Sequence, residues 1–276
     1  MKKLLIITGP TASGKTAMAV GLARQLGTEI LSCDSRQFYR EMRIGVARPS
    51  DEELAAAKHH FVACRSVTEP YNISDYERDA MALLENLFQR HDTVIAVGGS
   101  GLYVDALRIG VSRMPDPTPE LRARLQQMPL EEKRAQLQLL DPDYYARVDL
   151  RNPVRLQRAL EVCYMTGRPY TEVLAASQPQ TRPFEVEIRV VQQPNDELRA
   201  RIDRRVDQMM ADGLLDEVRT LLPCRHLSTL RTVGYRELFP VLDGTDTLDN
   251  AVAAIKLNTW HYARKQLTWM RKYQSE

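Results

Sequence analysis

Cysteine is scarce in this chain. Its four cysteines, Cys33, Cys64, Cys163 and Cys224, include no C-x-x-C pair. That spacing argues against a disulfide framework or a zinc centre and for a reducing, cytoplasmic setting. His59-His60 with Cys64 is a weak metal pattern, and ordinary packing and surface roles stand against it. Long hydrophobic runs are missing too. None approaches the roughly 18 residues needed to cross a bilayer, so no membrane association is expected. The apolar run Leu4–Ile7 is too short for a secretion signal. Excess charge of either sign is nearly absent: 38 Lys+Arg stand against 36 Asp+Glu, a net charge of +2. Any argument for a nucleic-acid partner must therefore come from local clustering of basic residues. Internal repeats are not apparent. What remains, 276 residues with 43% apolar and 27% charged content, is a soluble globular protein of one large or two modest domains.

The chain does carry a complete phosphate-binding loop. Gly9, Pro10, Thr11, Ala12, Ser13, Gly14, Lys15 and Thr16 fit G-x-x-x-x-G-K-[ST]. Leu4–Ile7 before it reads as a buried strand, and Thr16–Leu26 after it as a helix, with Met18, Leu22 and Leu26 at helical spacing. Strand, loop and helix together give the motif its context. The loop amides and the helix N-terminus can hold phosphate oxygens. Lys15 is placed to reach the distal phosphate, and the Thr16 hydroxyl to face a magnesium ion. The motif fixes a polyphosphate or diphosphate ligand without fixing the reaction.

Further strands are expected at Glu29–Cys33 and Thr93–Val97, with a helix over Tyr76–Gln89 carrying Met81, Leu84 and Phe88 on one stripe. This alternation predicts an α/β fold, a mostly parallel P-loop-type sheet flanked by helices. The phosphate loop, Asp34 and Ser100 all follow predicted strands, so they should meet at the carboxyl edge of the sheet. The proline-dense stretch Met114–Pro119 marks a boundary. From Glu120 to Ala176 the sequence is helical and arginine-rich, closed by Pro179 and Pro183. Phe184–Gln192 alternates like a returning strand. Residues 1–112 and 184–276 are thus expected to form a discontinuous catalytic core, and 113–183 an all-helical insertion. Long helices are predicted at Asp196–Leu222 and Leu248–Tyr273.

Several residues could carry chemistry. Asp34, in Asp34-Ser35-Arg36-Gln37, is placed either as a general base across from the phosphate loop or as a helix N-cap. A small-molecule kinase would use such a carboxylate as well. Ser100, in Gly98-Gly99-Ser100-Gly101-Leu102-Tyr103, could donate to a phosphate oxygen or cap a helix. The strand before it ends in glycine where a nucleotide hydrolase often has an acid, which counts modestly against hydrolysis. Arg201 and Arg205, one helical turn apart, could clamp a diphosphate or form a salt-bridged surface with Asp203 and Asp207. From Ala251 to Ser275 there is no acid. Trp260, Ala263, Leu267 and Met270 form an apolar stripe there, and His261, Arg264, Lys265, Thr268 and Lys272 a basic face. That face suits an RNA backbone or plain solvation. The insertion's Arg122, Arg124, Arg134, Arg147 and Arg151 fit a polyanion partner.

Taken in order, these motifs resemble the tRNA dimethylallyltransferase (tRNA isopentenyltransferase) family over nearly the whole chain. The resemblance rests on residues 9–16, on Asp34–Tyr39 and on Gly98–Tyr103. It rests equally on Arg155–Val162 with Thr166-Gly167, on Val233–Arg236 and on Tyr262–Trp269. It implies transfer of a dimethylallyl group from dimethylallyl diphosphate to N6 of adenosine 37 in the tRNA anticodon loop. Asp34 would be the base and Ser100 would assist near the phosphate. Lys15, Thr16 and Arg205 would hold diphosphate and Mg²⁺. Ser35, Gln37, Arg122, Arg155, Arg158, Arg231, Gly234, Arg236, Arg264 and Lys265 would contact tRNA, and a monomer is expected.

The chain departs from the family pattern at Val46 and Arg48, in the order Arg264-Lys265, and over Asp149–Asn152. The rival readings are a small-molecule kinase using ATP, a prenyltransferase for free adenine nucleotides, and a nucleotide-sensing RNA-binding protein. The insertion and the basic helix count against the first two, and Asp34 and Ser100 against the third.

Overall fold

The computed structural model describes residues 1–112, 114–177 and 181–273. The expected boundary at residue 113 and the closing Pro179 lie outside them. The described chain divides into two compact units, Met1–Ile109 with Arg182–Glu276, and Gly110–Thr181.

The first unit is built on a five-stranded sheet of β1 (Lys3–Thr8), β2 (Ile30–Ser32), β3 (His59–His60), β4 (Thr93–Gly98) and β5 (Glu185–Val190), in the order β3-β2-β4-β1-β5. Every pairing is parallel. Central parallel strands are covered on both faces, so they read as unbroken apolar runs. Leu4 to Ile7 and Val94 to Val97 are such runs, and all eight residues are buried. β5 lies at the sheet's edge, where Lys3 of β1 pairs with Glu185 at 3.4 Å and Glu187 at 3.1 Å. Because all strands run one way, the segments after β1, β2 and β4 emerge on the same edge.

Helix α1 (Lys15–Leu26) packs on this sheet through Ala19, Val20 and Ala23. Of Met18, Leu22 and Leu26, which recur at helical spacing, Leu22 packs beside that face, while Met18 is 43% and Leu26 51% exposed. Small side chains win here because they let the helix approach the strands closely. Helix α2 (Asp51–Ala56) was not expected, although Ser50 and Glu53 form a capping box at its start. Helix α3 (Ile73–Leu87) buries Tyr76, Ala80, Leu84 and Leu87, and α4 (Gly101–Ile109) follows β4.

The second unit is helical: α5 (Pro119–Gln127), α6 (Leu130–Leu140), α7 (Pro142–Tyr145), α8 (Pro153–Thr166) and α9 (Tyr170–Ala176). Its core is Leu125, Leu137, Leu156, Ala159 and Leu160. Three of its helices start with a side-chain cap followed by proline: Thr118-Pro119, Asp141-Pro142 and Asn152-Pro153. Proline suits that first position because its missing N–H has no intrahelical role there. Pro119 therefore starts a helix instead of standing outside one.

After β5 the chain returns to the first unit with α10 (Asn195–Ala211), α11 (Leu214–Thr220), α12 (Phe239–Leu242) and α13 (Leu248–Met270). The single helix expected over 196–222 is broken at Gly213, whose φ is +96°. Just before β5, Arg182 donates to the Leu107 carbonyl at 3.1 Å, to the Ala106 carbonyl, and to Glu77 at 2.6 Å. No described helix is long and apolar enough to cross a membrane.

Candidate active site

The loop Gly9–Thr16 joins β1 to α1 through two left-handed residues, Ala12 (φ 64°) and Gly14 (φ 89°). Gly14 precedes the first turn of α1, whose leading amides have no intrahelical partner. Gly9 has no room for a side chain: a Cβ would lie 2.7 Å from the Val191 carbonyl oxygen. Gln193 donates to the Ser13 carbonyl at 3.3 Å. The Ser13 hydroxyl is buried with no hydrogen-bond partner, an open polar valence in the wall of the cradle.

Lys15 donates to the Pro10 carbonyl at 3.2 Å. Burial lowers its pKa to about 8, Asp34 opposing the shift and Arg205 adding to it. Helix α10 buries Leu198, Ile202 and Val206, and this register turns Arg205 toward the loop. Arg205 donates to the Thr11 hydroxyl at 3.1 Å. Arg201, one turn earlier, is held by Glu197 at 2.8 Å. The two alternatives for these arginines thus divide between them: Arg205 lies on the loop, and Arg201 forms a helix-surface ion pair, with Glu197 in place of Asp203 or Asp207.

Asp34 follows β2. No helix begins there, so it is not a helix cap; its carboxylate accepts the Arg36 N–H at 3.0 Å in a tight turn. Its charge acts on both Lys15 and Arg205. Burial pushes the neighbouring Cys33 thiol far up, so it stays protonated. Ser100 lies at the end of the β4 turn. Its hydroxyl accepts the Ser35 N–H at 3.2 Å and donates to the Ser35 hydroxyl at 3.3 Å. Gln37 uses its amide to brace the opposite wall, donating to the Ala47 carbonyl at 3.0 Å and accepting from Ser32 at 3.1 Å.

Thr11, Ala12, Gly14, Lys15, Thr16, Asp34, Ser35, Gln37 and Arg205 line one cleft of about 840 Å³, and Ser100, bonded to Ser35, is outside that lining. Arg231, Gly234 and Arg236 line it as well, as do Val46 and Arg48. Gly9 and Ser13 shape the loop from behind. Arg264 and Lys265 lie elsewhere, in a shallow groove on α13 with His261, Thr268, Trp269 and Lys272. Within that groove Lys272 is already engaged, bonded to Asp105. Arg122, Arg155 and Arg158 belong to the second unit. Arg122 and Arg155 are exposed, and Arg158 pairs with Glu161 at 3.3 Å.

Sequence reasoning singled out neither Tyr262 nor Gln266 individually. Tyr262 is 41% exposed, yet its hydroxyl end lies in the cleft near Ser100 and Gln266. Burial, and then the Asp34 charge, push that phenol up to about 12, so it remains a donor. Gln266 accepts the Thr11 N–H at 2.9 Å and donates to the Gly99 carbonyl at 2.9 Å. The only trace of this contact in the sequence is Gly99 itself. Glu217 was also missed. It accepts the N–H groups of Arg43, Ile44 and Gly45 at 3.0, 2.7 and 3.1 Å, and the Tyr235 hydroxyl at 2.6 Å. Among the described residues no group of three or more metal-ligating side chains occurs, at His59 and His60 or elsewhere. The two histidines are held by the Ala57 carbonyl at 2.7 Å and by Glu29 at 2.6 Å.

Fold and cleft together define a P-loop-type α/β enzyme with a carboxylate facing its phosphate cradle. The chain belongs to the IPP transferase family, whose model matches residues 37–273. It is 45% identical to tRNA dimethylallyltransferase 1 of Phocaeicola vulgatus, over 98% of this chain and 91% of that protein. It is also 45% identical to the protein of the same name from Bacteroides thetaiotaomicron, over 99% of this chain and 89% of that one. The crystal structure of the full-length tRNA isopentenylpyrophosphate transferase of Bacillus halodurans is similar as well. There the TM-score is 0.71 at 33% identity, covering 98% of this chain and 87% of the other.

Proposed function

We propose that this enzyme transfers the dimethylallyl group of dimethylallyl diphosphate to the exocyclic N6 of adenosine 37 in the tRNA anticodon loop, releasing diphosphate. One observation carries the reading: Asp34 shares the cleft with Lys15, Thr16 and Arg205. In this reading the diphosphate leaves toward Lys15, Thr16 and Arg205 while Asp34, in the same cleft, accepts a proton. Breaking the allylic C–O bond loads negative charge onto the diphosphate, which the loop amides, Lys15 and Arg205 stabilise. Asp34 takes the N6 proton as the new C–N bond forms. Ser100 and Tyr262 supply hydroxyl groups beside that carboxylate. The adenine must leave its stack to reach the cleft, at a cost of a few kcal/mol. Contacts to the single-stranded loop from Arg231, Arg236 and Ser35 offset that cost.

The residues present fit a magnesium ion of the kind that substrate phosphates carry. Thr16 offers a hard oxygen donor at the loop, and no closed protein cage occurs among the described residues. When bound, the ion would neutralise diphosphate charge. Arg264 and Lys265 on α13, with Arg122 and Arg155 on the insertion, supply exposed cations for the tRNA backbone.

The test is incubation with labelled dimethylallyl diphosphate, ATP and unmodified tRNA. Label is expected on the tRNA. Transfer of the ATP γ-phosphate to a small acceptor, with none of the prenyl label moved, overturns the reading.

A further inference from the structure

We infer that Gln266 is a positioning residue for the phosphate loop, setting the loop's shape for the prenyl donor from the inner face of the helix that carries the basic groove. Gln266 is 6% exposed, and both ends of its amide are engaged. Its carbonyl oxygen takes the Thr11 N–H, and its NH₂ gives to Gly99. Thr11 is the third residue of the loop, and Gly99 opens the turn that delivers Ser100. One side chain therefore ties the phosphate cradle to the segment beside the base.

The geometry around it is consistent with a fixed distance. A Cβ at Gly99 would collide with the Gln266 amide and come within 3.1 Å of the Gly9 carbonyl oxygen. Thr11 has its N–H on Gln266 and its hydroxyl under Arg205, so both its polar handles are held by protein. Its backbone therefore sets the loop's outline, beside the internal bond from the Ser13 N–H to the Pro10 carbonyl at 3.3 Å. Helix α13 is itself anchored at its far end, where Trp269 donates to Asp105 at 3.1 Å and Tyr273 at 2.8 Å. The outer side of the same turn presents Arg264 and Lys265.

This inference rests on the proposed prenyl transfer, and the experiment separates the two. The full chain is compared with Gln266→Met, which keeps length and loses both hydrogen bonds, and with the milder Gln266→Asn, too short to span both partners. Binding of inorganic diphosphate with Mg²⁺, steady-state kinetics, tRNA affinity and amide exchange of the loop are measured. Gln266→Met is expected to weaken diphosphate binding about tenfold and to raise the donor KM in proportion, with kcat and tRNA affinity within about threefold. Amide protection should fall in the 9–16 segment. Gln266→Asn should move the same quantities less, and it carries the test if the methionine variant does not fold. Unchanged diphosphate affinity in a folded variant, or an equal loss of tRNA and diphosphate binding, overturns the positioning role. Absence of prenyl transfer by the unaltered chain refutes the proposed function instead.

Discussion

The Arg205 guanidinium donates to the Thr11 hydroxyl at 3.1 Å, joining α10 to the phosphate loop across 194 positions of sequence. Burial works against its charge, and Asp34 works for it. Arginine's planar fork can hold Thr11 and a phosphate oxygen together, which a lysine ammonium on a flexible stem cannot reproduce. Arg205→Lys is therefore expected to lower kcat/KM for the donor by about 10²-fold. Steady-state kinetics at saturating tRNA check this.

Asp34→Asn keeps the shape of the tight turn and removes the proposed proton acceptor. Turnover should fall by about 10²–10⁴-fold, while tRNA affinity stays within a few-fold. A filter-binding titration beside a single-turnover assay decides it. Strong loss of binding with intact turnover would refute the assignment.

Lys15 is held at about 8, against an ordinary value of 10.5. Between those two pH values the folded protein has released a proton that the unfolded chain keeps, so stability attributable to Lys15 rises with pH across that window. Lys15→Met should therefore melt higher than the unaltered protein below about pH 8, with the gap closing toward pH 10.5. The same variant should fail to bind diphosphate. Thermal melts in a pH series, without ligand, give the test.

Glu29 shows the opposite sign. Burial opposes its ionisation, but hydrogen bonds from His60 and Lys58 hold its carboxyl at about 2, below the ordinary 4.5. Arg90 approaches to 3.1 Å as well. Its stabilisation is complete above pH 4.5 and disappears as pH falls through 2. Glu29→Gln should lower stability at neutral pH and flatten the acid limb of the unfolding curve.

Tyr235 is fully buried and gives its hydroxyl to Glu217, the carboxylate that also holds the amides of residues 43–45. Tyr235→Phe leaves that carboxylate short of a donor at a cost of about 1–3 kcal/mol. Denaturant melts should show the loss, and amide exchange should quicken at 43–45 before it does elsewhere.

How much of this could be read beforehand depended on the range of the interaction. The phosphate loop, β1 and β4 are local statements, a glycine spacing and two apolar runs, and they stood out plainly. The strand at His59–His60 is two residues long and carries no period. On α1 the spacing of Met18, Leu22 and Leu26 marks a helix, but the residues buried against the sheet are the smaller Ala19, Val20 and Ala23. Arg201 and Arg205 looked alike until the register of α10 separated them. Gln266, Glu217 and Tyr262 act on partners far away in the chain, so nothing beside them in sequence announces their work. Gly99 is the exception, a missing side chain that records a distant neighbour.

Arg182 stands where the chain comes back from the helical unit, and it grips the carbonyls of Ala106 and Leu107 shortly before the chain leaves for it. The departure and the return are fastened by one buried guanidinium. The closure of the intervening segment is thus fixed at its neck, and lengthening a closed loop adds little further entropic cost. The helical unit is in this sense a graft: its length and surface can be rewritten while the sheet and the loop after β1 are left as they are.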